Sequence, residues 1–235
     1  MFDTVQGGGS ALEQARAALR LAERRVGVQH RDQVVTLTPS APAPLTELLP
    51  DGDLPRGAVS AVLGATRHGS ATLTTWLLGA TQGGGWVAVV GWPELGAVAL
   101  AEAGVQLERV MLVPDVAGRG PAVVEALIDG FDVVVTGPHL RLTEGDRRRL
   151  LARARQHGTA VLSTEPWEGA ALTLDVERSR WSGPDRGERW IRTARLAVTR
   201  HSRADGAGRR FDVDRDELAA PTITAAPAVA GRRAG

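Results

Sequence analysis

The chain has 235 residues, 43% of them hydrophobic, and its 28 basic and 27 acidic side chains leave a net charge of +1 at pH 7. This length and apolar content allow one α/β domain of about 200 residues with its own core, and the absence of cysteine excludes disulfides and thiolate metal sites. No apolar stretch reaches the ~20 residues of a membrane helix, and no basic segment precedes an apolar one at the N-terminus, so a soluble cytoplasmic protein is expected.

In chain order, residues 1–35 read as a helical arm. Positions 11–26 are rich in strong helix formers, with Leu12, Ala15, Leu19 and Ala22 on one stripe and charges elsewhere. Residues 36–57 are rich in proline and read as an extended linker. Residues 58–217 alternate strand and helix as a core. Residues 218–235, made of Ala, Pro, Thr, Gly and Arg, read as a disordered tail.

The core opens with the apolar run Ala58 to Leu63, a glycine-bounded loop from Gly64 to Gly69, and the apolar stretch Thr72 to Leu78. This is the strand, loop, helix order of a phosphate-binding P-loop, G-x-x-x-x-G-K-[ST]. Its two chemical residues are absent. Ser70 stands at the lysine position and Ala71 at the position of the hydroxyl that ligates Mg²⁺, and all 28 basic side chains of the chain are arginine. The backbone N–H groups at Ser70, with Arg67 in the loop, would still form a weak anion site. An ordinary glycine-rich turn is the other reading of the same residues.

Four further runs, Trp86 to Val90, Arg109 to Val113, Asp132 to Thr136 and Thr159 to Ser163, are short, β-branched and nearly continuous in apolarity. They suit strands buried on both faces of a parallel sheet, with helices over 94–103, 121–129 and 143–157 as crossovers. Thr143 and Asp146 form an acidic capping pair, Leu150, Leu151 and Ala154 the inward stripe, and Arg147 to Arg149 a solvated face. Trp76, Trp86, Trp92 and Trp167 read as core or pocket-filling residues. The histidines His30, His68, His139, His157 and His201 are too scattered for a zinc site, and Ser70 and Ser163 have no evident base for nucleophilic catalysis.

From residue 170 the pattern changes to alternation, with Leu172, Leu174 and Val176 against polar neighbours, and a second strand follows from Arg189 to His201. An antiparallel hairpin closing the sheet edge is expected. Between Arg178 and Arg210 there are ten arginines against three acids (Asp185, Glu188, Asp205). Arg178, Arg180, Arg189, Trp190, Arg192, Arg195 and Arg200 are the candidate partner-binding residues, with Trp181 as a further aromatic. Arginine's planar charge suits carboxylate or phosphate, and the tryptophans suit stacking on bases or packing on a partner.

The order from Leu54 to Asp115 resembles bacterial RecA-like recombinases: leader, P-loop, helix, second strand, the stretch Ala101 to Val110, and a strand ending in Pro114-Asp115. The likeness covers roughly residues 45–213 and implies a RecA-like core with a mostly parallel sheet. On that alignment the water-activating glutamate falls near Trp92, with Glu94 displaced by two positions, and the Mg²⁺-linked aspartate falls on Thr136. Six residues separate Thr136 from Thr143, and seven separate Ser163 from Ala171, too few for the recombinases' DNA-binding loops.

A RecA-like core with a dead P-loop, trimmed loops, a helical arm and an Arg-rich C-terminal region resembles the ImuA family, in particular its actinobacterial ImuA′ branch. The resemblance implies a non-catalytic accessory factor of the DNA-damage-induced mutasome that needs no cofactor or metal. It would work with the Y-family-like protein ImuB and, through it, an error-prone C-family polymerase. RecA is a further candidate partner, and the location is the cytoplasm, at the nucleoid during DNA damage. Two alternatives stay open: an ATPase completed by a cation from a partner, and a DNA-binding protein acting through the arginine-rich hairpin.

Overall fold

The computed structural model describes residues 43–64, 69–183, 191–203, 205–206, 208–216 and 220–226. The chain divides into two compact units, Met1–Thr38 and Pro39–Gly235; every described residue belongs to the second, and the arm expected over 1–35 lies outside them.

Strand β1 (Ala43–Pro44) is followed by a 3-10 turn (Leu45–Leu48), β2 (Val59–Leu63) and helix α1 (Ser70–Thr81). Then come β3 (Val87–Val90), α2 (Ala97–Glu102), β4 (Val110–Val113), α3 (Gly120–Ile128), β5 (Val133–Thr136), α4 (Glu144–His157) and β6 (Ala160–Ser163). Four strands end the described chain: β7 (Leu172–Ser182), β8 (Thr193–Ser202), β9 (Arg209–Asp216) and β10 (Thr222–Ala225). All ten strands share one sheet in the order β1-β10-β9-β8-β7-β2-β6-β5-β3-β4. Pairing is parallel from β4 through β7 and antiparallel from β7 through β10 to β1.

The inner parallel strands form where the sequence is continuously apolar because both of their faces are covered. β4, at the sheet edge, is not the strand buried on both faces that was expected: Met111 and Leu112 are exposed. Every residue of β3, β5 and β6 is buried. On one face α1 and α2 bring Leu73, Trp76, Leu77 and Leu100 against Val62, Val89, Val135 and Leu162. On the other, α3 and α4 bring Val124, Ile128, Leu150 and Ala154 against Val59, Val90, Val134 and Val161. Adjacent residues such as Val134 and Val135 serve opposite layers, as the two-residue period of a strand requires. The capping box of α4 is present, with Thr143 Oγ1 accepting from the Asp146 N–H at 3.2 Å and Asp146 Oδ2 accepting from the Thr143 N–H at 3.0 Å. Gly158, left-handed at φ 72°, ends the helix.

Three expectations change. The stretch read as an extended linker over 36–57 is, from residue 43 onward, part of the fold. Leu45, Leu48, Leu49 and Leu54 are buried in the α1 layer, and β1 pairs Ala43 with Ile223 and Pro44 with Thr222. Burying each leucine is worth about 1.5–3 kcal/mol, enough to hold a short segment that its prolines suggest is a spacer. The tail read as disordered from 218 carries β10, whose Thr-Ile-Thr run suits a strand and buries Ile223. The hairpin of β7 and β8 therefore does not close the sheet edge, because β9, β10 and β1 follow it.

Among the described residues no helix is long and apolar enough to cross a membrane. No group of three His, Asp or Glu side chains among them is placed to hold a metal ion.

Candidate functional site

The carboxyl ends of β2, β3, β5 and β6 lie together, and this is where parallel sheets bind ligands. At the end of β2 the backbone turns at Gly64, with φ 127°, and re-enters helix α1 at Gly69, with φ 81°. Gly64 is also required by space, and Gly69 is closely packed. A Cβ at Gly64 would stand 2.8 Å from the Val176 carbonyl oxygen, and one at Gly69 would stand 2.6 Å from Leu196 Cδ2 and 3.5 Å from the Trp181 ring. Residues 65–68, with Arg67 and His68, lie outside the described residues. The Ser70 hydroxyl donates to the Gly64 carbonyl at 3.3 Å, closing the loop on itself, and Ala71 packs against the core. The entrance to α1, which in a phosphate site faces the ligand, here meets Leu196 and Trp181 from the antiparallel strands.

Trp92, just past β3, is buried in the α1 layer. Glu94 points to His139, with Oε1 2.7 Å from Nε2, in an exposed pair. Thr136, at the end of β5, is buried, and its hydroxyl finds no partner among the described residues. Ser163 Oγ, at the end of β6, donates to the Glu165 carbonyl at 2.8 Å. These strand ends offer no lysine, no metal-ligating hydroxyl at position 71 and no carboxylate at positions 92 or 136, the groups that position and neutralise a transferring phosphoryl group.

An open cavity of about 260 Å³ lies beside them, lined by residues including Leu140, Arg141, Thr143, Arg147 and Glu165. Arg147 is not part of a solvated face. Its guanidinium stacks over Trp167 at 5.4 Å and donates to the Pro166 carbonyl, fastening α4 to the chain after β6. Trp76, Trp92 and Trp167 are buried, as expected of core residues, whereas Trp86 is 47% exposed and meets Phe131 edge-on at 6.3 Å. It precedes β3, the strand next to the edge strand β4.

The arginine-rich segment is divided by the sheet. Arg178 and Arg180 are exposed on the face of β7 away from α1, and Arg180 is in register with Arg195 on β8. Arg195 Nε lies 3.0 Å from Asp214 Oδ1 on β9. Arg192, also exposed, donates its N–H to the Ser182 carbonyl at 2.8 Å. Arg200 belongs to the opposite face. Its guanidinium grips both oxygens of Asp205 at 2.8 and 2.7 Å, reaches the Glu47 and Leu48 carbonyls at 3.3 Å, and stacks over Phe211. With 12% of its side chain exposed it clasps the N-terminal segment rather than joining the cluster. Arg189 and Trp190 lie outside the described residues.

Sequence inspection missed the acids that answer these arginines. Asp212, Asp214 and Asp216 alternate with Phe211, Val213 and Arg215 along β9, so the three carboxylates share one face. That period of two was readable in the sequence. Burial pushes the Asp214 carboxyl above its usual range, with Arg195 opposing and Asp212 and Asp216 adding. Burial acts the same way on Asp205, but the bonds from Arg200 and Ser202 outweigh it and hold that carboxyl below its usual range. Glu177 is also held low, chiefly by the Thr199 hydroxyl at 2.6 Å and then by Arg210 at 3.1 Å.

The MT3502 N-terminal domain family matches residues 47–169, ending just before β7. The uncharacterized protein Rv3395c of Mycobacterium tuberculosis (strain ATCC 25618 / H37Rv) is 33% identical over 175 residues, covering 72% of this chain and 78% of that protein. The chain belongs to the MT3502 N-terminal domain family.

Proposed function

We propose that this member of the MT3502 N-terminal domain family is a non-catalytic accessory protein of the DNA-damage-induced mutasome, of the ImuA kind, built on a RecA-like core. It acts through protein contacts, with a Y-family-like ImuB protein as its direct partner and an error-prone C-family polymerase and RecA reached through the same assembly. The observation that carries this reading is the state of the strand ends. Ser70, Ala71, Trp92 and Thr136 occupy the positions of the phosphoryl-transfer groups, and Leu196 and Trp181 stand where the entrance of α1 would receive a phosphate. The first strand of the core, β2, lies inside the sheet with helices on both faces, an arrangement that supports the recombinase likeness. A domain that keeps such a scaffold without its chemistry has its surface left to act with, and the charged antiparallel strands supply one.

Calorimetry with ATP and Mg²⁺ is expected to be silent, and the double change Ser70→Lys with Ala71→Thr is expected to give no turnover, because no carboxylate stands at positions 92 or 136. Co-expression with an ImuB protein is expected to give a complex that co-purifies. A low-micromolar dissociation constant for ATP in the natural chain overturns the non-catalytic reading, and failure of co-purification overturns the partner. The exposed Arg178 and Arg180 favour a second reading, direct DNA contact, which predicts affinity for single strands that falls steeply with salt.

A further inference from the structure

On one side the sheet ends at β4, whose strand partner among the described residues is β3. The Val113 carbonyl accepts from the Gly91 N–H at 2.9 Å, so Val113 and, two residues back, Met111 turn their backbone groups to β3. In a parallel ladder the residues between turn theirs the other way. The Val110 N–H donates to the Leu107 carbonyl and Pro114 has no N–H, which leaves Leu112 to present both a donor and an acceptor at the outer edge. An unpaired edge of this kind is a template for another strand.

The side chains of this edge are apolar on both faces. Met111 is 45% exposed on the α3 side, next to Ala88, and Leu112 is 40% exposed on the α1 side, next to Val89. Trp86, Val98 and Leu107, also exposed, lie on the stretch of chain that builds β3 and β4. Exposed apolar side chains gathered in one place mark an interaction site. Charge brackets the strand: Arg109 precedes it and Asp115 follows Pro114, and neither has an ion-pair partner among the described residues. Arg109 donates to the Gly84 carbonyl, and Asp115 Oδ1 accepts from the Ala117 N–H at 2.8 Å.

We infer that β4 pairs antiparallel with β4 of a second copy of this chain, Leu112 against its equivalent, joining two sheets edge to edge. The register follows from the strand itself. Hydrogen-bonded pairs join outward-turned residues on both strands. With Leu112 on Leu112, Met111 meets Val113, Val110 meets Pro114, and Arg109 meets Asp115, twice over by the two-fold symmetry. Every residue of the strand then faces an apolar one, and unlike charges oppose each other at both ends, which is favourable. The next allowed register one way sets Arg109 against Val113, and the next the other way sets Met111 against Asp115. Pairing of like edges closes on itself as a dimer rather than extending as a filament. Because β2, β6, β5 and β3 separate β4 from β7, the dimer carries two sets of the charged strands β7 to β9, both left open. This goes beyond the proposed function and does not rest on it.

Sedimentation of the full chain is expected to show a reversible dimer with a dissociation constant of roughly 1–100 μM, as suits a small interface. Met111→Lys with Leu112→Lys sets like charges across the pair and is expected to weaken the dimer at least about tenfold, with the circular dichroism spectrum unchanged because both side chains are exposed. The chain has no cysteine, so a single introduced one reports on the register. Opposed residues of a hydrogen-bonded antiparallel pair have Cα atoms about 5.5 Å apart, within disulfide reach. Leu112→Cys is therefore expected to give a covalent dimer on oxidation, whereas Met111→Cys, two residues out of line with its equivalent, is expected to give little. A chain that stays monomeric throughout that concentration range, a dimer that the lysine pair leaves intact, or equal cross-linking at the two positions overturns the inference. If the natural chain is monomeric and the lysine variant loses ImuB co-purification, the edge belongs to that partner and the inference falls. Dimerisation without ImuB co-purification leaves this inference standing and removes only the named partner.

Discussion

The two halves of the sheet handle charge in opposite ways. In the parallel half the inner strands β2, β3, β5 and β6 are covered on both faces, and their ends carry Trp92, Thr136 and Ser70. The Ser70 hydroxyl is satisfied by the Gly64 carbonyl, while that of Thr136 finds no partner among the described residues. In the antiparallel half only one face is buried. The other carries Arg178 and Arg180 on β7 and Asp212, Asp214 and Asp216 on β9, bridged by Arg195. A strand covered on both sides has no place for an unpaired ion, because desolvating one costs several kcal/mol; a strand with one open face can line up like charges and leave them in water. The partner-docking surface proposed above therefore falls in the half of the sheet whose open face carries charge.

The comparison breaks most visibly where a charge is buried in the antiparallel half after all. Asp205→Asn leaves Arg200 without its carboxylate beside the Glu47 and Leu48 carbonyls, and a loss of about 3 kcal/mol in denaturant unfolding is expected. The Asp205 pKa is lowered on folding, so the natural chain's advantage over the variant is complete above about pH 4 and is lost as pH falls through the folded value below that. A pH-independent difference between the two proteins would contradict this role.

At the seam between the halves, Gly69→Ala places a methyl group against Leu196 at a left-handed φ, for an expected cost of about 1–3 kcal/mol. Adding Leu196→Ala removes the clash but opens a cavity. The double variant is therefore expected to be less destabilised than the sum of the singles, a coupling that a mutant cycle of unfolding free energies measures. Additivity would mean that Leu196 of β8 does not rest on Gly69 at the entrance of α1.

The smallest effect is expected on the open face. Arg195 and Asp214 are in contact at 3.0 Å, yet the arginine is 70% exposed, and a double-mutant cycle to alanine is expected to return about 0.2–1 kcal/mol. Asp214→Asn is expected to be neutral or slightly stabilising at pH 7. Its folded pKa is raised, so whatever protonation contributes is present at low pH and is lost as pH rises through that value. A loss above about 2 kcal/mol would make this pair a buried one.

Much of the parallel half is determined by sequence alone. The runs Val87–Val90, Val133–Thr136 and Ala160–Ser163 are too short for helices and too continuously apolar for a wet sheet, and Thr143 with Asp146 and Gly158 marks both ends of α4. The missing groups at Ser70 and Ala71 are equally local, since a loop either has a lysine or lacks one. Tertiary structure alone decided the rest, because each remaining feature depends on what lies across a strand or under a turn. Leu45 to Leu54 became core only when the α1 layer offered them a surface, Ile223 only when β9 offered an edge, and Arg200 left the arginine group because strand alternation turned it toward Asp205 and Phe211. The reach of β7 is decided the same way: β2 pairs with it only as far as Asp175 while β8 runs on to Ser182, a difference between two partners that are distant in sequence.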